Sequence, residues 1–188
     1  MSTYTIISSD HLRQALRSFS TGVTIVTSSG EAPACGVTVS AFTSLSLDPP
    51  LVLVCLNAES PAVGTIARNG VFAVNVLSAD QEPLARRFAS PTRPRGADAF
   101  EGVAHSSCPG RAPIIDGVAC WLDCRLTDVH VAGDHVIVIG RVVDFAGDAT
   151  REPLVFHAGR YSVVRDPDER RAPASSTSLS PTCFAEGR

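Results

Sequence analysis

The chain has 188 residues, 44% of them hydrophobic and 19% charged, with a formal net charge of −3. That is long enough for one domain with a hydrophobic core, and the slight negative charge removes any electrostatic case for nucleic acid or an anionic membrane surface. The longest apolar runs, 51–56 and 136–139, fall far short of the ~20 residues of a spanning helix, and no charged segment followed by an apolar one opens the chain, so a soluble cytoplasmic protein is expected.

Residues 1–9 read as a loose lead-in. Ser9 or Asp10 caps a short helix in which Leu12, Ala15, Leu16 and Phe19 recur at helical spacing, ended by Thr21-Gly22. Val23 to Thr27 is a strand of β-branched residues. After a turn at 28–33, the run from Gly36 to Leu47 alternates apolar residues with Thr38, Ser40, Thr43, Ser44 and Ser46. A strand sends successive side chains to opposite faces, so this run can bury one face and offer hydroxyls to a flat, heteroatom-rich ligand on the other. Asp48-Pro49-Pro50 breaks it before the apolar strand Leu51 to Leu56. Ser60 as cap, Pro61 at the first helical position and Gly70 past the end bracket a helix. Val71 to Leu77 is a buried strand, and Ser78-Ala-Asp-Gln81 is a capping box opening a helix that reaches Phe88.

The loop from Ala89 to Ala97 belongs to the one locally basic patch, with Arg86, Arg87, Arg93 and Arg95. It is either a solvated loop or a gate touching a phosphate-bearing ligand. Strands follow around 102–105, 117–131, 134–145, 154–156 and 160–164, with a hairpin turn at Ala132-Gly133-Asp134. From Asp166 the chain is charged and then rich in serine, threonine and proline, so 166–188 is expected to be a disordered tail behind a single domain over 10–165. The order of elements gives a mainly β fold, an antiparallel barrel with peripheral helices, and argues against a doubly wound parallel sheet.

Six cysteines raise the question of zinc. A site from His105, Cys108, Cys120 and Cys124 fails on spacing, because strand residues four apart stand roughly 13 Å apart while two zinc-bound sulfurs lie within about 4 Å. No metal is expected, and the thiols read as small buried hydrophobes. There is no Gly-x-Gly, no phosphate loop ending in Gly-Lys-Ser/Thr and no Gly-x-Ser-x-Gly elbow, so a nucleotide would need another geometry. Among the histidines, His135 follows a glycine turn beside Asp134, which can bias its tautomer. His157 and Tyr161 flank a similar turn at Gly159, His11 falls on the surface of a helix, and His105 and His130 read as structural.

Taken together, Phe19-Ser-Thr-Gly-Val-Thr24, Thr38-Val-Ser-Ala-Phe-Thr-Ser-Leu-Ser-Leu-Asp-Pro-Pro50 and Leu51-Val-Leu-Val-Cys-Leu-Asn57 resemble the short-chain flavin reductase family. These are the reductase components of two-component flavin-dependent monooxygenases. The likeness continues through Phe72 to Leu77, Phe88-Ala89, Phe100-Glu-Gly102, Ala132-Gly-Asp-His135 and Gly159-Arg-Tyr161, in order over about 10–164. It implies a split β-barrel, a homodimer, and reduction of FMN or FAD by NADH or NADPH, with reduced flavin passing to a partner monooxygenase.

By position, the resemblance places Thr38, Val39, Ser40, Ala41, Ser44 and Ser46 along the flavin ring and ribityl chain. Cys55, Leu56, Asn57 and Ser60 would surround the phosphate end, and Phe88, Ala89 and Ser90 would close over it. The Gly133-Asp134-His135 turn would lie beside the nicotinamide, with His135 as the catalytic candidate and Tyr161 a lesser one. Hydride passing between two stacked rings needs alignment and no protein nucleophile.

Two departures matter. Where the family commonly has Ser-Arg-Thr, this chain has Ser60-Pro61-Ala62, so phosphate binding is either weak or leans on Arg86, Arg87 or Arg93. Where relatives often read Asp-Arg-Phe, it has Asp98-Ala99-Phe100, which leaves FMN against FAD open. The competing readings are a non-catalytic flavin- or haem-binding split barrel and a pyridoxamine-phosphate-oxidase-like enzyme. The latter wants a denser basic cluster within the strands.

Overall fold

Alternating β-branched residues, helix caps and glycine turns divide the chain into twelve strands and three helices among residues 7–106 and 111–164, which the computed structural model describes. In order these are α1 (Ser9–Leu16), β1 (Thr21–Gly22), β2 (Thr24–Ser28), β3 (Cys35–Val39), β4 (Phe42–Leu47) and β5 (Pro50–Asn57). Next come α2 (Pro61–Asn69), β6 (Val71–Val76), a 3₁₀ turn at Ala79–Gln81 running into α3 (Glu82–Ala89), and a second 3₁₀ turn at Gly96–Phe100. β7 (His105–Ser106), β8 (Ile114–Ile115), β9 (Cys120–Ala132), β10 (His135–Gly147), β11 (Leu154–His157) and β12 (Arg160–Val163) complete the described chain. The expected tail over 166–188 lies outside the described residues, as does Cys108.

Seven strands form one antiparallel sheet in the order β3-β2-β6-β9-β10-β5-β4. Its two edge strands, β3 and β4, are consecutive in the chain, with only Ser40 and Ala41 between them. Three Cα steps of 3.8 Å span at most about 11 Å, so the two edges must meet and the sheet must roll up. A bond from Cys55 N–H to the Ala41 carbonyl (2.9 Å) pins the corner. The mainly β barrel with peripheral helices expected from the sequence is what forms, and it is split at this corner. The run read as one strand from Gly36 to Leu47 is therefore two strands on opposite edges.

One core fills the barrel, where Val26, Val54, Phe72, Val74 and Val138 meet Ile66 of α2. Phe72 lies so close over Gly140 that a Cβ there would collide with its ring. The second core lies outside the barrel wall. There Ile25, Leu77, Phe88, Phe100, Ile115 and Leu154 join α3 to a small sheet in the order β1-β11-β12. Each such side chain, fully buried, contributes roughly 1.5–3 kcal/mol.

Local signals are met where they are self-contained. Gly70 closes α2 at φ 66°, with its N–H on the Ile66 carbonyl (2.9 Å). Ser78 and Gln81 form the capping box, Ser78 N–H donating to Gln81 Oε1 at 3.1 Å. The first helix differs from expectation: it ends at Leu16, and Thr21-Gly22 becomes β1, pairing with Phe156 and Val155. β-Branched Thr21 gains more from a sheet partner than from prolonging a helix. The strand expected at 102–105 shrinks to His105–Ser106.

Candidate functional site

A cleft of about 520 Å³ opens where the barrel is split. One wall is Val37 to Ala41, and a second is Cys55 to Asn57 with Glu59, Ser60 and Pro61. Pro91, Arg93 and Arg95 overhang it from the loop after α3, and His135 closes the end. The sheet register explains the last contact, since β10 pairs His135 with Asn57 of β5. Gly133, at φ 66°, makes the tight turn into β10, and Ala58 N–H bonds the Asp134 carbonyl at 2.9 Å.

Arg93 ties the overhanging loop to the wall. Its Nε donates to the Gly36 carbonyl and its Nη1 to the Ser90 carbonyl, both at 3.0 Å. Burial, and then the like charge of Arg95, push its pKa below the usual arginine value. A guanidinium short of water beside another cation is relieved by an anion. Glu59 is the one carboxylate on the lining. Ser60 supplies a second mark of an anion site, because its Oγ is buried without a hydrogen-bond partner at the N-terminus of α2. An unmet buried hydroxyl costs about 1–3 kcal/mol. Pro61 has no N–H to offer there, so the hydroxyl and the overhanging arginines carry the recognition. These groups fit the phosphate of a nucleotide.

Of the residues singled out in the sequence, Thr38, Val39, Ser40, Ala41, Cys55, Leu56, Asn57, Ser60 and His135 line this cleft. Two of their polar groups are already committed: Thr38 Oγ1 donates to the Ala85 carbonyl (2.7 Å), and Asn57 Oδ1 accepts from Glu59 N–H (2.8 Å). His135 Nδ1 lies 2.7 Å from Asp134 Oδ1, and the imidazole holds that carboxyl below its usual pKa. The contact favours the Nδ1–H tautomer and leaves Nε2 as the free ring nitrogen.

The other singled-out residues stand apart from the lining. Ser44 and Ser46 lie on the edge strand β4, one exposed and one half-buried. Phe88 is 1% exposed in the second core, against Phe100 at 5.6 Å. Ala89 and Ser90 end α3 outside the lining, and Gly133 and Asp134 occupy the exposed hairpin turn. Tyr161 packs on Phe156 (5.3 Å) beneath the Arg86 guanidinium (4.9 Å).

The basic patch is sorted by its contacts. Arg86 is paired with Glu82 (2.6 Å) and Arg87 reaches the Ala99 carbonyl (3.4 Å), which leaves Arg93 and Arg95 for the cleft. Val37, Glu59 and Pro91 join the lining without a signal in the sequence, and Pro61 joins it beside Ser60. The thiols are less uniformly buried than expected. Cys35, Cys55 and Cys120 are half-buried, whereas Cys124 is buried and pushed up to about 12 by desolvation and Asp123. Among the described residues, no three His, Cys, Asp or Glu side chains gather as a metal site, and no helix is long and apolar enough to cross a membrane.

The family model described as a flavin reductase like domain matches residues 16–165. The chain belongs to that family. It is 38% identical over 157 residues to the reductase subunit HsaB of a flavin-dependent monooxygenase from Rhodococcus jostii, covering 84% of this chain and 78% of that one. Among solved structures it is similar to BorF, the flavin reductase component of a bacterial two-component tryptophan halogenase. That likeness has a TM-score of 0.78 and 38% identity, over 85% of this chain and 99% of the other. It is also similar to the NADH:FAD oxidoreductase SgcE6 of Streptomyces globisporus in complex with NAD and FAD fragments (TM-score 0.77, 34% identity, 88% and 99% covered).

Proposed function

We propose that this flavin reductase is an NAD(P)H:flavin oxidoreductase that delivers reduced FMN or FAD to a partner monooxygenase. The observation that carries the reading is the cleft itself. Its lining holds the unmet Ser60 hydroxyl together with Arg93 and Arg95, and the rest is walled by strand residues, most of them with small side chains. A phosphate fits the first part and a flat ring system the second. The relatives, among them a monooxygenase reductase subunit, a halogenase flavin reductase component and an NADH-dependent FAD reductase, favour this over the flavin- or haem-carrying alternative.

Bound together, the flavin supplies the hydride acceptor and the dihydronicotinamide the donor. The protein's part is placement, which is worth several orders of magnitude when reacting groups are held in line. Arg93 and Ser60 hold the anionic end. Ser40 and Ala41, on a corner fixed by the Cys55–Ala41 bond, present backbone groups without further reorganisation. His135, oriented by Asp134, offers Nε2 in a fixed direction at the cleft end. The reading is tested by initial rates of NADH and NADPH oxidation with FMN and with FAD. Acceleration by at least one pair is expected; none, in protein that also retains no flavin, refutes it.

A homodimer is part of the same proposal. Its support is the edge strand β4, which exposes Leu45 and Leu47, together with the bare α1 and the exposed Val131 and Phe145 of the long hairpin. Sedimentation giving a mass twice that of the chain is the expected result.

A further inference from the structure

Four hydroxyls are buried along β1 and β2, and three have a carbonyl to bond. Thr24 Oγ1 donates to Val39 (2.8 Å), Thr27 Oγ1 to Pro113 (2.6 Å) and Ser28 Oγ to Val71 (2.7 Å). Thr21 Oγ1 is the exception: it is buried and has no partner among the described residues. Only one other side-chain atom there shares that condition, the Ser60 Oγ of the cleft.

Thr21 lines a second hollow, of about 560 Å³, with Phe19, Gly22, Phe42 and Val76 as apolar walls and Ser20 and Thr24 beside them. This hollow shares Ser40 and Ala41 with the cleft that holds Ser60, Arg93 and Arg95. The two are thus one trough bent around the split of the barrel, with an unmet hydroxyl at each end. Its Ser60 end is basic, whereas its Thr21 end is mostly apolar, with Ser20 and Thr24 already committed to His157 and Val39 and the Thr21 hydroxyl left unmet. The Thr21 end is also firmly built. β1 is paired with β11, the Ala158 N–H bonds the Arg17 carbonyl (3.1 Å), and Ser20 Oγ lies 2.8 Å from His157 Nδ1.

We propose that Thr21 is a binding residue whose hydroxyl hydrogen-bonds the amide-like edge of a planar heterocycle lying against Phe19 and Phe42. That chemistry is shared by the isoalloxazine ring and the nicotinamide carboxamide. The inference rests on the flavin reductase reading and adds a residue and a half-site to it. A ligand carrying an anion at one end and a flat, amide-bearing ring at the other meets both unsatisfied hydroxyls, which no contact among the described residues does.

Thr21→Val keeps the β-branched shape and removes the hydroxyl, so fold and ligand should respond in opposite senses. In the full chain without ligand, its Tm is expected to equal or exceed that of the parent, because a buried unmet polar group has been deleted. The Kd for FMN or FAD, read by fluorescence quenching, or the KM for NADH is expected to rise roughly threefold to tenfold, the worth of one neutral hydrogen bond. A rise in the flavin constant identifies the isoalloxazine as the ring, and a rise in the NADH constant alone identifies the nicotinamide. Thr21→Ser restores either value. A lower ligand-free Tm with Kd and KM unchanged would show that the hydroxyl serves the fold. A changed sedimentation mass with unchanged constants would show that it serves a contact between copies. Either result, or no change in any quantity, overturns the proposal. Failure of the parent protein to bind flavin would instead refute the functional reading.

Discussion

β3 and β4 come from one alternating run, yet they do different things. In β3, Thr38 has its hydroxyl on the Ala85 carbonyl and Gly36 receives both the Phe88 ring and the Arg93 Nε, so the strand is gripped from outside and presents the cleft wall. In β4, Ser44 and Leu45 are exposed, and the Thr43 hydroxyl reaches only the neighbouring Ser44 carbonyl (3.4 Å). The same residue types are wall in one place and rim in the other. Both are edge strands, so what packs across the face decides which.

The sharpest way to break that contrast is at Gly36. In Gly36→Ala the new Cβ meets the buried Phe88 ring, and overpacking of about 1–3 kcal/mol should lower Tm by roughly 2–12 °C. An unchanged melting curve would mean that α3 does not grip β3. Next comes Arg93→Ala, which removes the tethers to Gly36 and Ser90 together with the cation over the cleft. Flavin Kd should rise roughly 10- to 100-fold, with Arg93→Lys intermediate; a titration showing no change would move the anion site elsewhere.

His135→Ala tests the cleft wall beside Asn57. Turnover should fall roughly tenfold, the loss of one oriented hydrogen bond, without vanishing. Complete loss of turnover with flavin binding intact would mean that the imidazole does more than orient. The smallest effect is expected on the rim. Ser44→Ala and Ser46→Ala should each change Kd and stability by less than about 0.5 kcal/mol. A larger shift in flavin affinity would bring β4 into the binding surface and erase the distinction between the two strands.

Much of the candidate site was legible because its parts are local. Ser60-Pro61 and Gly70 bracket α2 by capping and backbone conformation alone, and Gly133 sets the hairpin that delivers His135. The apolar pattern gives β5 and β6 with nearly the right ends. The arginines show the limit. Four of them fall within ten residues, and only packing against Glu82, Tyr161 and Ala99 removes Arg86 and Arg87 from the cleft. Phe88 shows it again, since an aromatic ending a helix suits a lid or a core equally until Gly36 and Phe100 are found against it.

What the sequence determined by itself was the set of elements, the antiparallel barrel class, and membership of a flavin reductase family carried by several linked motifs. The tertiary structure alone decided that β3 and β4 stand at opposite edges joined by Ser40 and Ala41. It alone left Thr21 and Ser60 as the buried hydroxyls without partners among the described residues. The reason is range. Caps, turns and periodicity act over a few residues, whereas the partner of a buried hydroxyl is fixed by segments tens of residues away that meet only when the sheet rolls.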